Sequence, residues 1–157
     1  MRLFSQRRRF RDLSEQEVLA LAISSEEDDG RVYRSFAERL RSDYPDTAAV
    51  FDGMASEEDE HRQALIDMHQ ARFGDTIPLI RREYISDFIT RKPVWLTASL
   101  SLETMRSVAN TMEQDAERFY LAAAKLTSDA PTRKLLGDLA AAEANHQIAA
   151  DTLEETH

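Results

Sequence analysis

The sequence predicts an all-α protein, a four-helix bundle with a long, partly helical crossover between helices 2 and 3. Apolar residues recur at alternating steps of three and four along four long segments, which is the spacing of one helical face. Only four Gly and four Pro interrupt the 157 residues, so the helices can be long. The first and second pairs of helices have short connections. Roughly 25 residues separate the pairs, which is typical of a bundle with one crossover.

Start and stop signals set the limits of the first two helices. A capping box at residues 14–17 predicts that helix 1 begins near Glu15. The helix should end near Ser42, because a proline closely follows and disfavours helical backbone in the residue before it. Helix 2 is predicted to begin at residues 45–47, with the same proline in its first turn, and Gly74 is its stop signal.

The second half of the chain gives two more helices and an amphipathic connection. Helix 3 is predicted to begin near Ser99 or Ser101 and to end near Leu126. Helix 4 should begin at residues 129–131, with proline in its first turn. Within the crossover, residues 78–90 are amphipathic in their own right, and this pattern predicts a short helix there.

Charge divides the chain into a basic N-terminal segment, residues 1–12, and the bundle itself, residues 13–157. The first eleven residues hold five Arg and no acid. Without them, 15 basic residues face 29 acidic ones, so the remainder carries a net charge of −14. Such a body repels nucleic acid and attracts cations, so no nucleic acid partner is expected. The basic segment should be a solvated, partly disordered tail, with contact to an anionic membrane surface as the alternative.

Every predicted helix carries a glutamate on its apolar face, and helices 2 and 4 each add a histidine. At about 100° per residue, six residues fall on these faces: Glu26, Glu58, His61, Glu113, Glu143 and His146. Burying an ionised carboxylate without a partner is costly, so four on facing helices predict a shared cation. Carboxylates with two imidazoles suit two iron ions, and manganese or zinc would fit the same donors. The absence of Cys excludes thiolate and iron–sulfur sites.

The two halves of the chain repeat each other, which favours a paired metal site. The segment "EEDDGRVYRSFA", residues 26–37, aligns with "EQDAERFYLAAA", residues 113–124. The Glu-x-x-His of helix 2 recurs as "EANH" in helix 4. Spacing of three places each Glu and His one helical turn apart on one face. Two similar helical hairpins facing each other would therefore give a pair of metal positions related by approximate twofold symmetry.

Other polar residues near these faces have weaker patterns. Glu117 is a candidate seventh ligand, although its phase is marginal. Tyr33 and Tyr120 either hydrogen-bond ligand carboxylates or are core aromatics whose hydroxyls are satisfied elsewhere. His69 and His157 lack a facing partner and should be solvated. Four acids are expected on the surface, with a route of access for cations as the alternative: Asp28, Asp29, Glu57 and Glu60.

These residues resemble the rubrerythrin di-iron domain of the ferritin-like superfamily. Helix 1 of that family reads Glu-x6-Tyr-x3-Ala, which Glu26, Tyr33 and Ala37 match, and the family also has paired Glu-x-x-His motifs. The resemblance implies that Glu26 and His61 are terminal ligands of one iron. It also implies that Glu113 and His146 serve the other iron and that Glu58 and Glu143 bridge the two. Rubrerythrins usually add a rubredoxin-like domain with four Cys, which this sequence cannot supply.

The Arg-rich start and "VWLTASLSLETMRSVANTMEQDAERFY", residues 94–120, are more similar to membrane-bound ferritins of the erythrin–vacuolar iron transporter family. There, a rubrerythrin-like domain precedes a membrane domain that exports iron. The resemblance implies that this chain is the soluble portion of such a protein, attached to a C-terminal membrane iron-transport domain. It also implies a homodimer in the cytoplasm, at the cytoplasmic face of the inner membrane.

The function expected from the resemblance is that of a ferroxidase-like enzyme. It would bind two Fe(II) and oxidise them with oxygen or hydrogen peroxide, in iron detoxification or export. The six glutamate and histidine residues on the apolar stripes, that is, the apolar faces of the helices, would carry the reaction. One alternative is a non-enzymatic iron-sensing or docking module of an iron transporter. Another is a rubrerythrin-like peroxidase that takes electrons from an external donor.

Overall fold

The computed structural model describes residues 8–87 and 101–156, with the side chains of the last helix described as far as His146. It confirms an all-α four-helix bundle. The helices are α1 (Glu15–Leu40), α2 (Pro45–Phe73), α3 (Leu102–Leu126) and α4 (Ala130–Thr156). Short 3-10 turns occur at Phe10–Asp12 and Arg82–Tyr84. Within the described residues, no helix combines the length and apolar character that crossing a membrane requires.

The predicted limits of α1 and α2 are confirmed to within two residues. The Ser14 hydroxyl accepts from the Glu17 backbone N–H at 3.1 Å, and the Glu17 carboxylate accepts from the Ser14 N–H at 3.0 Å. This reciprocal capping box begins α1. The helix ends at Leu40 rather than Ser42, because a turn takes up the residues before Pro45. Gly74 ends α2 with φ at 90°, a conformation that favours glycine.

The starts of α3 and α4 are fixed by side-chain caps. The Ser101 hydroxyl accepts from the Thr104 N–H at 3.1 Å, which identifies Ser101 as the cap of α3; Ser99 lies outside the described residues. At α4, the Asp129 carboxylate accepts from the backbone N–H of Thr132 at 3.1 Å. Both caps satisfy N–H groups that have no partner within the helix.

Contacts between helices define the topology. Ion pairs Arg41–Asp52 (2.9 Å) and Arg72–Glu15 (3.5 Å) show that α1 and α2 run antiparallel. The hydrogen bonds from Tyr120 to Glu26 and from Tyr33 to Glu113 show that α1 is antiparallel to α3 as well. It follows that α2 and α3 are parallel, so the connection between them has to return along the bundle. At about 1.5 Å per residue, that distance is roughly 40 Å, which explains why this connection is long.

The hydrophobic core has two parts separated by a polar layer. One cluster joins Leu19, Leu65, Tyr120 and Leu136, from all four helices. The other contains the C-terminal half of α1, the start of α2 and the start of α3, with Phe36, Phe51, Met54, Met105 and Met112 as large members. On α1, α2 and α3 the predicted glutamates lie between the two clusters, and on α4 Glu143 follows the residues of the first cluster. Apolar packing on both sides therefore holds the polar layer in place and excludes water from it.

The prediction of a helix at residues 78–90 is wrong where the structure describes it. Residues 75–87 contain one 3-10 turn, and residues 88–90 lie outside the described part. Apart from the bonds of that turn, the backbone of this segment bonds to other elements. The Ile80 carbonyl accepts from the Ser24 hydroxyl at 2.6 Å, and Arg8 exchanges backbone bonds of 3.0 and 2.8 Å with residues 84 and 86. These long-range partners replace helical hydrogen bonds.

Residues 8–12 are mostly exposed, as expected, but they are not a disordered tail; residues 1–7 lie outside the described part. The Phe10 ring packs edge-on against Phe119, with ring centroids 5.6 Å apart. The Phe10 backbone N–H donates to the Asp87 carboxylate at 2.8 Å, and the Arg8 guanidinium pairs with Glu17. This part of the basic segment is therefore fastened to the bundle and to the crossover.

Two side chains expected to be solvated are buried. Asp29 is 4% exposed and pairs with the Arg82 guanidinium at 2.7 Å, because the crossover passes over α1. His69 is fully buried: its Nδ1 lies 2.9 Å from the Gly74 carbonyl oxygen, and its Nε2 lies 3.4 Å from the Gln16 amide. A partner distant in sequence contributes in both cases, Arg82 for Asp29 and Gln16 for His69. His157 lies outside the described residues.

Candidate metal centre

The polar layer brings together all six residues that the sequence placed on the helical stripes. Each helix contributes one nearly fully buried glutamate: Glu26, Glu58, Glu113 and Glu143 are at most 3% exposed. His146 is 5% exposed, and the His61 side chain retains 13% exposure. The apolar stripe of each helix identifies its inward face, and the structure places these six side chains on that face.

The six residues form two overlapping groups of four. In each group, one ligand atom per residue can be chosen so that all four atoms lie within 4.8 Å of one another. The first group is Glu26, Glu58, His61 and Glu143, and the second is Glu58, Glu113, Glu143 and His146. Glu58 and Glu143 belong to both groups. The arrangement therefore offers two adjacent cation positions with two carboxylates in common.

The two histidines face the layer with the same nitrogen. His61 Nδ1 lies 3.5 Å from Glu143 and 3.7 Å from Glu26. His146 Nδ1 lies 3.0 Å from Glu113, and 3.6 Å from both Glu58 and Glu143. The rings stack with centroids 6.0 Å apart. On both rings Nδ1 is thus the nitrogen available to a metal, and Nε2 points away from it.

Several buried donor atoms of this layer have no hydrogen-bond partner among the described residues. They are Glu26 Oε2, both oxygens of Glu58, His61 Nδ1 and Glu143 Oε1. A buried polar atom without a partner costs about 1–3 kcal/mol, and more when the group is charged. Divalent cations would compensate these atoms, because carboxylate oxygen and imidazole nitrogen are the donors that iron, manganese and zinc accept. The residues therefore fit a pair of metal ions.

Burial and the proximity of like charges perturb the carboxyl groups of the layer. Burial raises the pKa of Glu113 to about 9, and the neighbouring Glu143 acts in the same direction. Burial, followed by proximity to Glu26, also raises the pKa of Glu58 well above its usual value. Glu143 behaves oppositely, because its contacts with His146 and His61 outweigh burial and lower its pKa. Protons and imidazolium charge thus balance the carboxylates when metal is not bound.

The histidines hold protons more tightly than a free imidazole does. Burial lowers the pKa of His61, but contacts with Glu143 and Glu26 outweigh it and raise that pKa to about 9. For His146, burial is outweighed by contacts with Glu113 and Glu143, and its pKa is raised to about 11. A metal ion binds deprotonated imidazole and carboxylate, so metal binding has to displace these protons.

Two tyrosines cross between α1 and α3 to reach the layer. The Tyr33 hydroxyl donates to Glu113, and the Tyr120 hydroxyl donates to Glu26. Both rings are 1% exposed, and burial raises both phenol pKa values well above the usual value, so the hydroxyls remain donors. Of the two alternatives left open by the sequence, the contacts correspond to the first, in which each hydroxyl bonds a carboxylate of the layer. Each tyrosine therefore restricts the orientation of one carboxylate.

We expect Tyr33→Phe to weaken divalent metal binding by about tenfold, because residues that orient a ligand typically contribute 10- to 100-fold to affinity. Glu113 would lose a donor while the volume of the ring stays in the core. Anaerobic isothermal titration with Co(II) measures the change. Tyr44→Phe is the matched control, since Tyr44 is 44% exposed and lies between α1 and α2, at the end of the bundle away from the layer. Equal affinities for wild type and Tyr33→Phe would contradict the orienting role.

The acids at the edge of the layer differ from expectation in one case. Glu117 is partly buried and belongs to neither group of four. The Glu57 side chain is 52% exposed, as expected for a surface acid, yet its carboxylate contacts Nε2 of His146. Sequence reasoning missed this contact. The only indication in the sequence was the helical position of Glu57, which lies at the edge of the apolar face of α2 rather than on the opposite face.

Comparison with known proteins agrees with the geometry of the layer. The rubrerythrin family model matches residues 17–154, which include all six residues of the two groups. In structure, the chain is similar to a hypothetical protein from Pyrococcus furiosus, with a TM-score of 0.71 and 20% sequence identity over 93% of this chain and 91% of the other. At that identity, the likeness concerns the fold. No curated protein gives a significant match. The chain belongs to the rubrerythrin family of the ferritin-like superfamily.

Proposed function

We propose that this domain binds two Fe(II) ions in the polar layer and oxidises them with oxygen or hydrogen peroxide. One observation carries the proposal: two overlapping groups of buried carboxylates and imidazoles share Glu58 and Glu143. Shared ligands would hold two metal ions close enough to act on one small oxidant. Rubrerythrin membership is compatible with a di-iron oxidoreductase.

Electron and proton numbers match a pair of iron ions. Reduction of one oxygen molecule to hydrogen peroxide takes two electrons, one from each Fe(II), and two protons. Reduction of one hydrogen peroxide to two water molecules also takes two electrons and two protons. The iron supplies the electrons when bound, and the protein has to supply ligands, a dry site and a balance of charge.

The residues of the layer have separate roles in this proposal. Glu26 with His61, and Glu113 with His146, would each hold one metal from its outer side. Glu58 and Glu143 would hold both, and their negative charge would stabilise the higher positive charge of Fe(III). Tyr120 and Tyr33 would keep Glu26 and Glu113 oriented through their hydroxyl groups. The two apolar clusters keep bulk water from the layer, which strengthens each of these interactions.

Stopped-flow absorbance tests the proposal. Fe(II)-loaded protein is mixed with oxygen or hydrogen peroxide, and the ferric absorbance is followed. Wild type should show a fast phase, whereas Glu26→Ala and Glu113→Ala should lose it, with circular dichroism showing unchanged helix content. Glu60→Ala is the control on the exposed face of α2. Unchanged kinetics in both site variants would refute the proposal. A wild type that binds two Fe(II) without a fast phase would favour an iron sensor, and a much faster reaction with peroxide would favour a peroxidase.

The same proposal includes a role in iron export and attachment to a C-terminal membrane iron-transport domain. It also includes a homodimer, placed at the cytoplasmic face of the inner membrane. They are supported by the similarity of residues 94–120 and of the Arg-rich start to membrane-bound ferritins. Sedimentation velocity of this chain tests the homodimer directly, since a dimer should sediment with the mass of two chains.

A further inference from the structure

The two Glu-x-x-His motifs differ at the position that precedes each glutamate. In α2 the sequence is "EEDEH", residues 57–61, and in α4 it is "AEANH", residues 142–146. The repeat therefore aligns Glu58 with Glu143 and His61 with His146, but it aligns Glu57 with Ala142. A carboxylate in one half of the pseudo-symmetric site has no counterpart in the other half.

The contact made by Glu57 lies on the outer nitrogen of a histidine. His146 Nδ1 faces the layer, 3.0 Å from Glu113, and its Nε2 contacts the Glu57 carboxylate. Both nitrogens of His146 thus have carboxylate partners. Among the described residues, the ion pairs of His61 are all made through Nδ1, at 3.5 to 4.0 Å. The two imidazoles are therefore inequivalent, although their own motifs are the same.

The position of Glu57 allows it to act on His146 from outside the layer. Its side chain is 52% exposed, whereas Glu58, one residue further along α2, is buried among the ligand candidates. A carboxylate that accepts from the outer N–H of a metal-bound imidazole fixes the ring and makes its inner nitrogen a stronger ligand. Because α2 carries Glu57 and α4 carries His146, the contact also ties these two helices together beside the site.

We propose that Glu57 is a positioning residue for His146 and that it makes the two metal positions unequal. The position formed by Glu113 and His146 binds a divalent metal more tightly than the position formed by Glu26 and His61. The inference rests on the proposed metal site and goes beyond it, since the family motif by itself describes two like halves. Loading of the domain is then sequential, with the His146 side filled first.

Anaerobic titration with Co(II) tests the inference, because Co(II) reports binding by absorbance and by paramagnetically shifted proton resonances. Wild type should take up two Co(II) in resolved steps. Its first-filled position should show a histidine N–H resonance that exchanges slowly with solvent. In Glu57→Ala, the affinity of the tighter position should fall by about tenfold, with the weaker one unchanged and the slow exchange lost. Glu57→Gln keeps a hydrogen-bond acceptor without the charge, so its affinity at the tighter position should lie between those of wild type and Glu57→Ala.

Two further variants make the test specific. Glu60→Ala removes an exposed acid of the same helix and should change neither affinity. Ala142→Glu introduces a carboxylate at the position that the repeat aligns with Glu57, and it should narrow the gap between the two affinities. Unchanged affinities in Glu57→Ala, or equal weakening of both positions, would overturn the inference while leaving the proposed function intact. Fewer than two Co(II) per wild-type chain would remove the proposed function, and the inference with it.

Discussion

Glu58→Ala should abolish binding at both metal positions, whereas Glu26→Ala should abolish binding at only one. The difference follows from the geometry, because Glu58 belongs to both groups of four and Glu26 belongs only to the group with His61. Removing a ligand that serves both ions leaves each of them with three donors and a less neutralised charge. Anaerobic Fe(II) titration with metal counting should give two ions per chain for wild type, one for Glu26→Ala and none for Glu58→Ala.

The comparison between these two variants is more informative than either alone. Glu143→Ala should behave like Glu58→Ala, since Glu143 also belongs to both groups, and Glu113→Ala should behave like Glu26→Ala. Glu60→Ala controls for the loss of one negative charge on α2. One ion retained by Glu58→Ala would show that the carboxylate serves a single position, and the shared arrangement would then be wrong.

The metal-free protein should become more stable when Glu58 is replaced by methionine. Both carboxylate oxygens of Glu58 are buried without a hydrogen-bond partner among the described residues. Burial raises its pKa, which shows that the site disfavours the charged form. A buried polar group without a hydrogen-bond partner costs about 1–3 kcal/mol, so an apolar residue of similar size should give a gain of that order. Thermal or urea unfolding of metal-free Glu58→Met measures the gain against wild type and against Glu60→Met.

When divalent metal is added, wild type should become more stable than Glu58→Met. A ligand that binds only the folded protein stabilises it by about 2.7 kcal/mol at a free concentration 100 times its dissociation constant. Wild type should therefore gain stability when Mn(II) or Zn(II) is added, and Glu58→Met should not respond. A metal-free Glu58→Met protein that unfolds more easily than wild type would contradict the view that this carboxylate is retained for metal binding at a cost in stability.

Local patterns were sufficient to predict the helices and the ligand candidates. The capping box at Ser14 and Glu17, the stop at Gly74 and the cap at Ser101 each involve residues within a few positions of one another. Helical phase depends only on spacing along the chain, so the inward direction of Glu58 and His61 could be calculated without knowing what they face. The repeat in α4 then indicated that both halves of the chain contribute to one site.

Contacts distant in sequence account for what the patterns missed. Residues 78–87 have amphipathic spacing, but their backbone bonds to Ser24 and Arg8, and no α-helix forms in this range. Asp29 is charged and close to solvated neighbours in sequence, yet Arg82 of the crossover covers it. Phase left Glu57 at the edge of the apolar face of α2, and only the approach of α4 gives it His146 as a partner.

The sequence by itself determined the all-α bundle, its four helices and the identity of the six residues in the polar layer. These properties follow from helical periodicity and from the cost of burying carboxylates, both of which act along a single segment. The tertiary structure decided how the six residues divide into two groups, which carboxylate each tyrosine restrains and which histidine Glu57 contacts. Those relations depend on the distances between helices, which are set by packing of the two apolar clusters around the layer.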